Sequence, residues 1–409
     1  MTISELAQSY DPLGEHLADP YPFYATARRR EPVFYSPRLD AWVVTRFRDV
    51  DAVLRDSATF SSVNSLRPIR PLYPATLAAL ADGYPPAPDH ITSDGPAHHR
   101  LRVPYTRHLT APGRVKTLEP EIRARATTLL DALDTGAADL VAGYTAPLPL
   151  GTAAGLFGLA PSDVEIARAG SESLFRLGSA DLSPDEEAAA ARTAVAFHRM
   201  MAGYVRSRRA APTGDLISDV VAALAPGAEP LTFGQEAEVV GTLSSTFGAA
   251  HITTTDLIGN AIRLLLDHPD QWRLLRRNPD LIPHAVEEAL RCEAPVPTIF
   301  RYATRPVTLS GVDVPQGAHV LLIFASANRD EDRFPDAECF DVTRTPSRHF
   351  GFGAGVHTCA GAGPARAQAR IALGLLAERL PDPRRDPDHD IPLRRSINVR
   401  GPLSLYVRR

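Results

Sequence analysis

The chain has 409 residues, 44% hydrophobic and 22% charged, which is ordinary usage for a globular protein and excludes disordered and collagen-like architectures. A formal charge of −4 excludes the basic excess of a nucleic-acid-binding surface; nearly all the positive charge is arginine, because Lys116 is the only lysine. Three cysteines (Cys292, Cys339 and Cys359) cannot build a disulfide framework, which favours a reducing, intracellular setting. The N-terminus lacks the basic start, apolar core and cleavage site of a secretion signal, and no stretch approaches the ~18 apolar residues of a membrane span. A cytoplasmic protein with no membrane attachment and no nucleic-acid partner is expected.

Length alone suggests two or three domains. Yet the 37 prolines are scattered, without a low-complexity linker, and no repeat is visible. Residues from about 20 to 110 read as a β-rich part of short strands and turns, Ala41-Trp-Val-Val-Thr45 being the clearest strand by its β-branched and aromatic content. From about residue 115 the pattern turns helical. Ser183-Pro184-Asp-Glu-Glu187 marks a helix start, with an N-cap serine, proline at the first helical position and acids in the first turn. Thr232-Phe-Gly-Gln235 is a capping box, and the helix it opens runs to His268, where Pro269 stops it; at 1.5 Å per residue it is roughly 50 Å long. Another helix spans about 281–292, strand-like pieces follow near 298–303 and 319–324, and a last helix covers about 360–380. The expected fold class is mainly α with a minor β-sheet region.

The densest chemical signal is the run from His349 to Gly363. Glycines 351, 353 and 355 precede Cys359, and a helix begins directly after it. Glycine lets a backbone approach a flat ligand closely and visit positive φ. A cysteine at a helix start gains from the dipole and from backbone N–H donors, which favour its thiolate. A dinucleotide fingerprint does not fit, because the glycine spacing is incomplete and no strong strand precedes it. A buried packing cysteine is the ordinary alternative, and it suits Cys292 and Cys339, which lack this glycine context.

Phe352-Gly353-Ala-Gly355-Val-His357-Thr-Cys359-Ala-Gly361 resembles the haem-binding signature of the cytochrome P450 family, matched at every fixed position. The resemblance implies that haem b lies between the long central helix and this loop, with Cys359 as the metal ligand, its thiolate favouring O–O cleavage. Phe352, Gly353, His357 and Gly361 complete the signature. Asp94-Gly-Pro-Ala-His98-His-Arg-Leu-Arg102 resembles a family segment that holds a haem propionate, and its His98 and Arg102 share a helix face at i,i+4. Arg301 and His349 fall where the family places two further propionate contacts.

Glu288 and Arg291, at i,i+3, share a helix face; alone that pattern also describes a solvated surface pair. In the family it is structural, with Arg344 as the third member of a buried charge cluster. Asp19-Pro-Tyr-Pro22, Phe60-Ser-Ser62 and Ala327-Asn-Arg-Asp330 resemble family patterns in the expected order, so the resemblance covers about residues 19–401 and implies one domain over 1–409 with no fused reductase.

In the long helix, Thr246, Ala249, Ala250 and Thr253 share a small, polar face with Leu257. Here the family carries Ala-Gly-x-acid-Thr, and this chain reads Ala249-Ala-His-Ile-Thr253. Thr253 is kept, Ala250 replaces glycine, and Ile252 occupies the position of the acid that relays protons. Isoleucine carries no proton. His251 is a candidate substitute, its imidazole suiting transfer near neutral pH; a mid-helix histidine can equally face a polar gap.

The resemblance implies a monooxygenase that uses O2, oxidises a small organic substrate in natural-product biosynthesis or catabolism, and takes electrons from a ferredoxin and its reductase, working as a monomer. Arg100, Arg107, Arg114, Lys116 and Arg366 are candidates for docking that acidic partner. Besides the helix face, substrate contacts are expected from about 65–90 and 171–196 and from Val296, Ile299, Phe300 and Ile397, which suggest an apolar pocket. An oxidase performing radical coupling, rearrangement or peroxide-driven oxidation is the alternative that Ile252 keeps open. A non-catalytic haem sensor is the third reading, against which Thr253 and the open helix face argue.

Overall fold

The computed structural model describes residues 3–133, 136–227 and 229–408. The chain opens with α1 (Glu5–Ser9), α2 (Tyr21–Arg30), the hairpin β1 (Val33–Ser36) and β2 (Ala41–Val44), α3 (Phe47–Arg55), β3 (Phe60–Ser61), α4 (Pro74–Ala81) and α5 (Gly95–Leu109). Then come α6 (Arg114–Asp131), β4 (Ala137–Asp139), α7 (Pro147–Phe157), α8 (Val164–Ser179), α9 (Pro184–Ala210), α10 (Leu216–Leu224), α11 (Phe233–Asp267), α12 (Pro269–Arg277) and α13 (Ile282–Cys292). The last part holds β5 (Thr298–Ala303), β6 (Val307–Leu309), β7 (Val312–Val314), β8 (His319–Ile323), α14 (Phe324–Ala327), α15 (Ala362–Arg379), β9 (Arg384–Arg385) and β10 (Tyr406–Arg408).

Mainly α with small sheets is the architecture. The β-rich reading of residues 20–110 is corrected: four helices, α2 to α5, occupy more of it than three short strands do. In α3, Val50, Val53 and Leu54 bury one helical face, an i,i+3,i+4 pattern that outweighs the local turn residues. The five-stranded sheet has the order β1-β2-β8-β5-β3, with β2 and β8 parallel and the other pairs antiparallel.

The axis of the molecule is α11. Its capping box is formed: Thr232 Oγ1 accepts from the Gln235 N–H at 3.3 Å, and Gln235 Oε1 accepts from the Thr232 N–H at 3.0 Å. Its first half buries Val239, Val240, Leu243 and Phe247 in one core with residues of α9 and α10, and its second half buries Leu257, Ile258, Ile262 and Leu265 in another with α13 and α15. One helix thus spans two hydrophobic cores, and the functional cavity opens at the junction between them. Among the described residues, no helix is long and apolar enough to cross a membrane.

Candidate active site

The cysteine loop is shaped by glycine. Gly353 and Gly355 adopt φ of +65° and +71°, and a Cβ on Gly355 would sit 2.2 Å from the Leu54 carbonyl oxygen of α3, so only glycine lets the loop lie against that helix. The loop closes through the Cys359 N–H, which donates to the Phe352 carbonyl at 3.0 Å, and α15 begins three residues after the cysteine, at Ala362. Cys359 lines a large cavity, and the surrounding protein pushes its thiol above the ordinary value by desolvation. The Gly361 backbone N–H, Arg102 and Arg366 act in the opposite direction and favour thiolate.

That cavity has a volume of about 1000 Å³. From α11 it is lined by Thr246, Ala249, Ala250, Thr253, Thr254 and Leu257, and from the loop by Phe352, Gly353, His357, Cys359 and Gly361. The periodicity of the long helix thus places its small face on the wall. Thr253 Oγ1 donates to the Ala249 carbonyl at 2.8 Å, which leaves the oxygen free to accept on the cavity side.

A cationic group stands at the loop end. Arg102 of α5 and Arg301 of β5 line the cavity; Arg301 donates to Ser65 Oγ at 2.9 Å, and burial lowers its guanidinium to about 10. Arg102 also donates to the Thr358 carbonyl, tying α5 to the loop. The rings of His98 and His357 lie 4.2 Å apart, and the Nε2 atom of each is buried without a hydrogen-bond partner among the described residues. Burial, with Arg301 and His98 nearby, lowers His357 to about 3. Two guanidiniums and the unpartnered His357 nitrogen beside a thiol in a large cavity fit a haem whose two propionates need donors. Cys359 would hold the iron, and His357, Arg102 and Arg301 would hold the carboxylates; His98, expected to do so, does not line the cavity and lies behind the His357 ring.

Outside the cavity, Glu288 and Arg291 are buried, not a surface pair. Arg291 Nε and Nη2 donate to the two Glu288 oxygens at 2.8 and 2.7 Å, and its other donors go to the carbonyls of Asn328, Ala337 and Cys339. Arg344 Nε reaches Glu288 Oε1 at 3.1 Å. The geometry braces α13 against the segment before the cysteine loop.

Several expected site residues lie elsewhere. His349 does not line the cavity: its Nε2 is 3.1 Å from Glu287 Oε2, and Arg366 holds the same carboxylate. Burial alone would raise Glu287, but hydrogen bonds from Arg366 and His349 keep it at about 2. His251 faces away from the cavity toward α8, its Nε2 2.8 Å from Ser171 Oγ, and burial with Arg394 and Arg168 nearby lowers it to about 3. Because Ser171 Oγ donates to the Ala167 carbonyl at 2.7 Å, it accepts from His251. Ile252 is buried off the cavity as well. Strand alternation turns Phe300 into the core under the sheet while Ile299 lines the cavity with Val296; Ile397 joins that same core, and its neighbour Asn398 lines the cavity instead. The arginines expected to dock a partner are largely paired within the chain: Arg100 with Glu238, Arg107 with Asp219 and Arg366 with Glu287.

Tyr84 and His90 line the cavity from within the expected stretch 65–90, whereas sequence reasoning missed His198, just beyond the expected 171–196, and a second buried charge cluster in which Glu293 meets Arg400 at 3.0 Å and Arg263 at 3.2 Å. No local motif marks His198 or this charge cluster.

Comparison with known proteins agrees with this geometry. The family described as Cytochrome P450 matches residues 215–381. Cytochrome P450 107B1 of Saccharopolyspora erythraea is 35% identical over 376 residues, covering 90% of this chain and 89% of that one. The mycinamicin IV hydroxylase/epoxidase of Micromonospora griseorubida is 36% identical over 373 residues, covering 90% and 89%. The structure of cytochrome P450 CREJ in complex with (4-ethylphenyl) dihydrogen phosphate superposes with a TM-score of 0.91 at 34% identity, covering 98% of this chain and 99% of that one. The chain belongs to the cytochrome P450 family and is a haem-dependent oxidoreductase of that family.

Proposed function

We propose that the protein is an O2-dependent monooxygenase that hydroxylates a large, neutral, mostly apolar small molecule of natural-product type, with haem b as cofactor. The observation that carries this reading is the shared cavity: the thiol of Cys359 and the hydroxyl of Thr253 face it from different elements, and the outer walls are apolar. Bound haem supplies the oxygen activation, and the chain supplies position and shielding. His357, Arg102 and Arg301 neutralise the propionates, while Ala249 and Ala250 keep the helix face low beside Thr253, whose oxygen accepts a hydrogen bond there.

Away from the cysteine end, the cavity walls are mostly apolar, with a few hydrogen-bonding groups and the Asp89 carboxylate among them. Leu66, Leu77, Leu80, Leu174, Phe175 and Ile299 form much of the surface. Burial lowers His90 and His198 to about 4, which leaves them neutral at physiological pH, and the Asp89 carboxylate is engaged by the amides of Ile91 and Thr92 at 2.8 and 2.9 Å. A neutral ligand suits this lining better than an anion. The relative named as a mycinamicin hydroxylase/epoxidase supports a substrate of natural-product size.

Electrons are supplied by a ferredoxin and its reductase. The depression of about 330 Å³ behind the cysteine loop supports docking of a small acidic carrier there, because three guanidiniums, Arg55, Arg348 and Arg366, face only two carboxylates, Asp51 and Glu287, and leave a positive surplus. A cytoplasmic monomer is part of the same reading.

One observation favours a second reading. Ile252 carries no proton, and His251 is bound to Ser171 on the far side of α11, so neither neighbour of Thr253 on the chain's N-terminal side relays a proton to it. An oxidase that couples, rearranges or uses peroxide fits that arrangement. The test is a titration of the ferric protein with neutral polyketides, terpenoids and aromatics, followed by turnover under labelled O2. A blue Soret shift with one labelled oxygen in the product is expected. Oxidised product without label replaces the monooxygenase by the oxidase, and a reduced carbon monoxide complex without the thiolate-type spectrum removes the role of Cys359.

A further inference from the structure

The outer wall of the cavity is α4, whose Leu77, Leu80 and Ala81 line it together with the preceding Leu72. Eight residues do not hold a helix alone. What holds α4 is α9, at both ends. Glu187, in the first turn of α9, is buried while its neighbours Asp185 and Glu186 are on the surface. Its Oε2 accepts from the Tyr73 N–H at 2.9 Å and from Thr76 Oγ1 at 2.6 Å, and its Oε1 lies 2.9 Å from Arg70 Nη1. Arg70 in turn stacks over the Tyr73 ring at 4.2 Å and donates to the Leu182 carbonyl at 2.7 Å. Tyr73 is the N-cap of α4.

At the other end, Arg199 Nη2 donates at 2.8 Å to the carbonyl of Asp82, the C-cap of α4. Gly83 packs so closely that a Cβ there would meet Val195 Cγ2 at 2.9 Å. An anion thus meets the N-terminus of α4 and a cation its C-terminus, both from α9, which matches the dipole of α4 at each end.

We propose that Glu187 is a positioning residue for ligand admission: by clasping α4 to α9 it makes the outer wall move as one piece with α9, and so sets the size of neutral ligand that enters. The proposal rests on the reading of this cavity as the ligand cavity. Small ligands pass without moving the wall; bulky ones require α4 and α9 to lift together. Without the clasp, α4 swings by itself and bulky ligands gain an easier path.

The test compares wild type, E187Q and E187D as full-length ferric holoproteins, with imidazole and 4-phenylimidazole as small and bulky neutral haem ligands in stopped flow. In E187Q, both the association and dissociation rates of 4-phenylimidazole are expected to rise about ten-fold, the scale of losing hydrogen bonds to one buried charge. Imidazole rates stay within about two-fold, and E187D, which keeps the charge one methylene back, recovers part of the barrier. Equal acceleration of both ligands, or of neither, overturns the proposal. Deuterium uptake gives a readout that needs no haem ligand: amides of 73–83 are expected to exchange faster in E187Q while those of 190–205 keep wild-type rates. If the two segments loosen together, or neither changes, the clasp is refuted, whatever the haem spectra show about Cys359.

Discussion

The inner and outer walls of the cavity are held by opposite means. On the inner side, the cysteine loop, α13 and α15 are fixed by charge and backbone geometry: Arg291 uses its donors on Glu288 and three carbonyls, and Gly355 lies against α3 where no side chain fits. On the outer side, α4 and α8 present apolar residues to the cavity, and α4 is fastened by the short polar clasp from α9. Charged and backbone contacts are concentrated where the cofactor ligand must be placed, and apolar contacts on the opposite side.

The sharpest way to test the inner wall is to remove its ligand. Cys359→Ser is expected to abolish the thiolate-type carbon monoxide spectrum altogether, and a retained spectrum would show that the loop does not carry the iron ligand. Next in size, Arg291→Ala strips the buried Glu288 of its two-pronged partner, leaving only Arg344 on one of its oxygens, and is expected to cost about 3 kcal/mol in urea unfolding. Asp185→Ala, on the exposed first turn of α9, is expected to stay within about 0.5 kcal/mol. Similar losses at both positions would erase the contrast between the walls.

A third experiment concerns pH. The folded protein holds His251 near 3, below the ordinary 6.5, because burial disfavours its cation. Its contribution to stability is therefore complete above pH 6.5 and is lost as pH falls toward 3, where the unfolded chain takes up a proton that the folded chain refuses. His251→Phe is expected to flatten the fall of the unfolding midpoint across that window, by at most about 1.4 kcal/mol per pH unit, while turnover stays close to wild type. Loss of turnover with unchanged stability would restore His251 to the proton path. The smallest effect is expected from Ile299→Val, which enlarges the cavity by a methyl group: ligand affinity should shift a few-fold in a Soret titration, at about 1 kcal/mol of stability.

The same contrast explains how much could be read in advance. The cysteine loop, the caps of α9 and α11, and the grouping of Glu288, Arg291 and Arg344 are local spacings, or match family segments, and spacing survives folding. The helical period that put Thr246, Ala249, Ala250 and Thr253 on one face also put His251 about 160° away from Thr253, so its orientation toward Ser171 was legible and was outweighed by chemical suitability. Period two likewise separates Phe300 from Ile299. His349 and Ile397 were not legible. The first turns on Glu287, more than fifty residues away in sequence, and the second sits in an irregular segment without a period. The α4–α9 clasp was the least visible, since Glu187 looks like an ordinary first-turn acid until the fold brings Tyr73 and Thr76 to it.

One feature of α11 bears on the order in which the protein is made. Asp256 is fully buried, and burial lifts its carboxyl to about 6 even though Arg394 Nε, 138 residues later, reaches both of its oxygens at 2.9 and 3.0 Å. Gly401 crosses the same carboxylate so closely that a Cβ would lie 2.4 Å from it. The segment that closes this ion pair also sets Asn398 into the cavity wall. During synthesis Asp256 therefore precedes its partner by 138 residues, and the segment that completes this side of the cavity is made last. The pairing of Asp256 with Arg394 requires loop closure over that distance, so the chamber cannot be sealed before the C-terminal segment has been made.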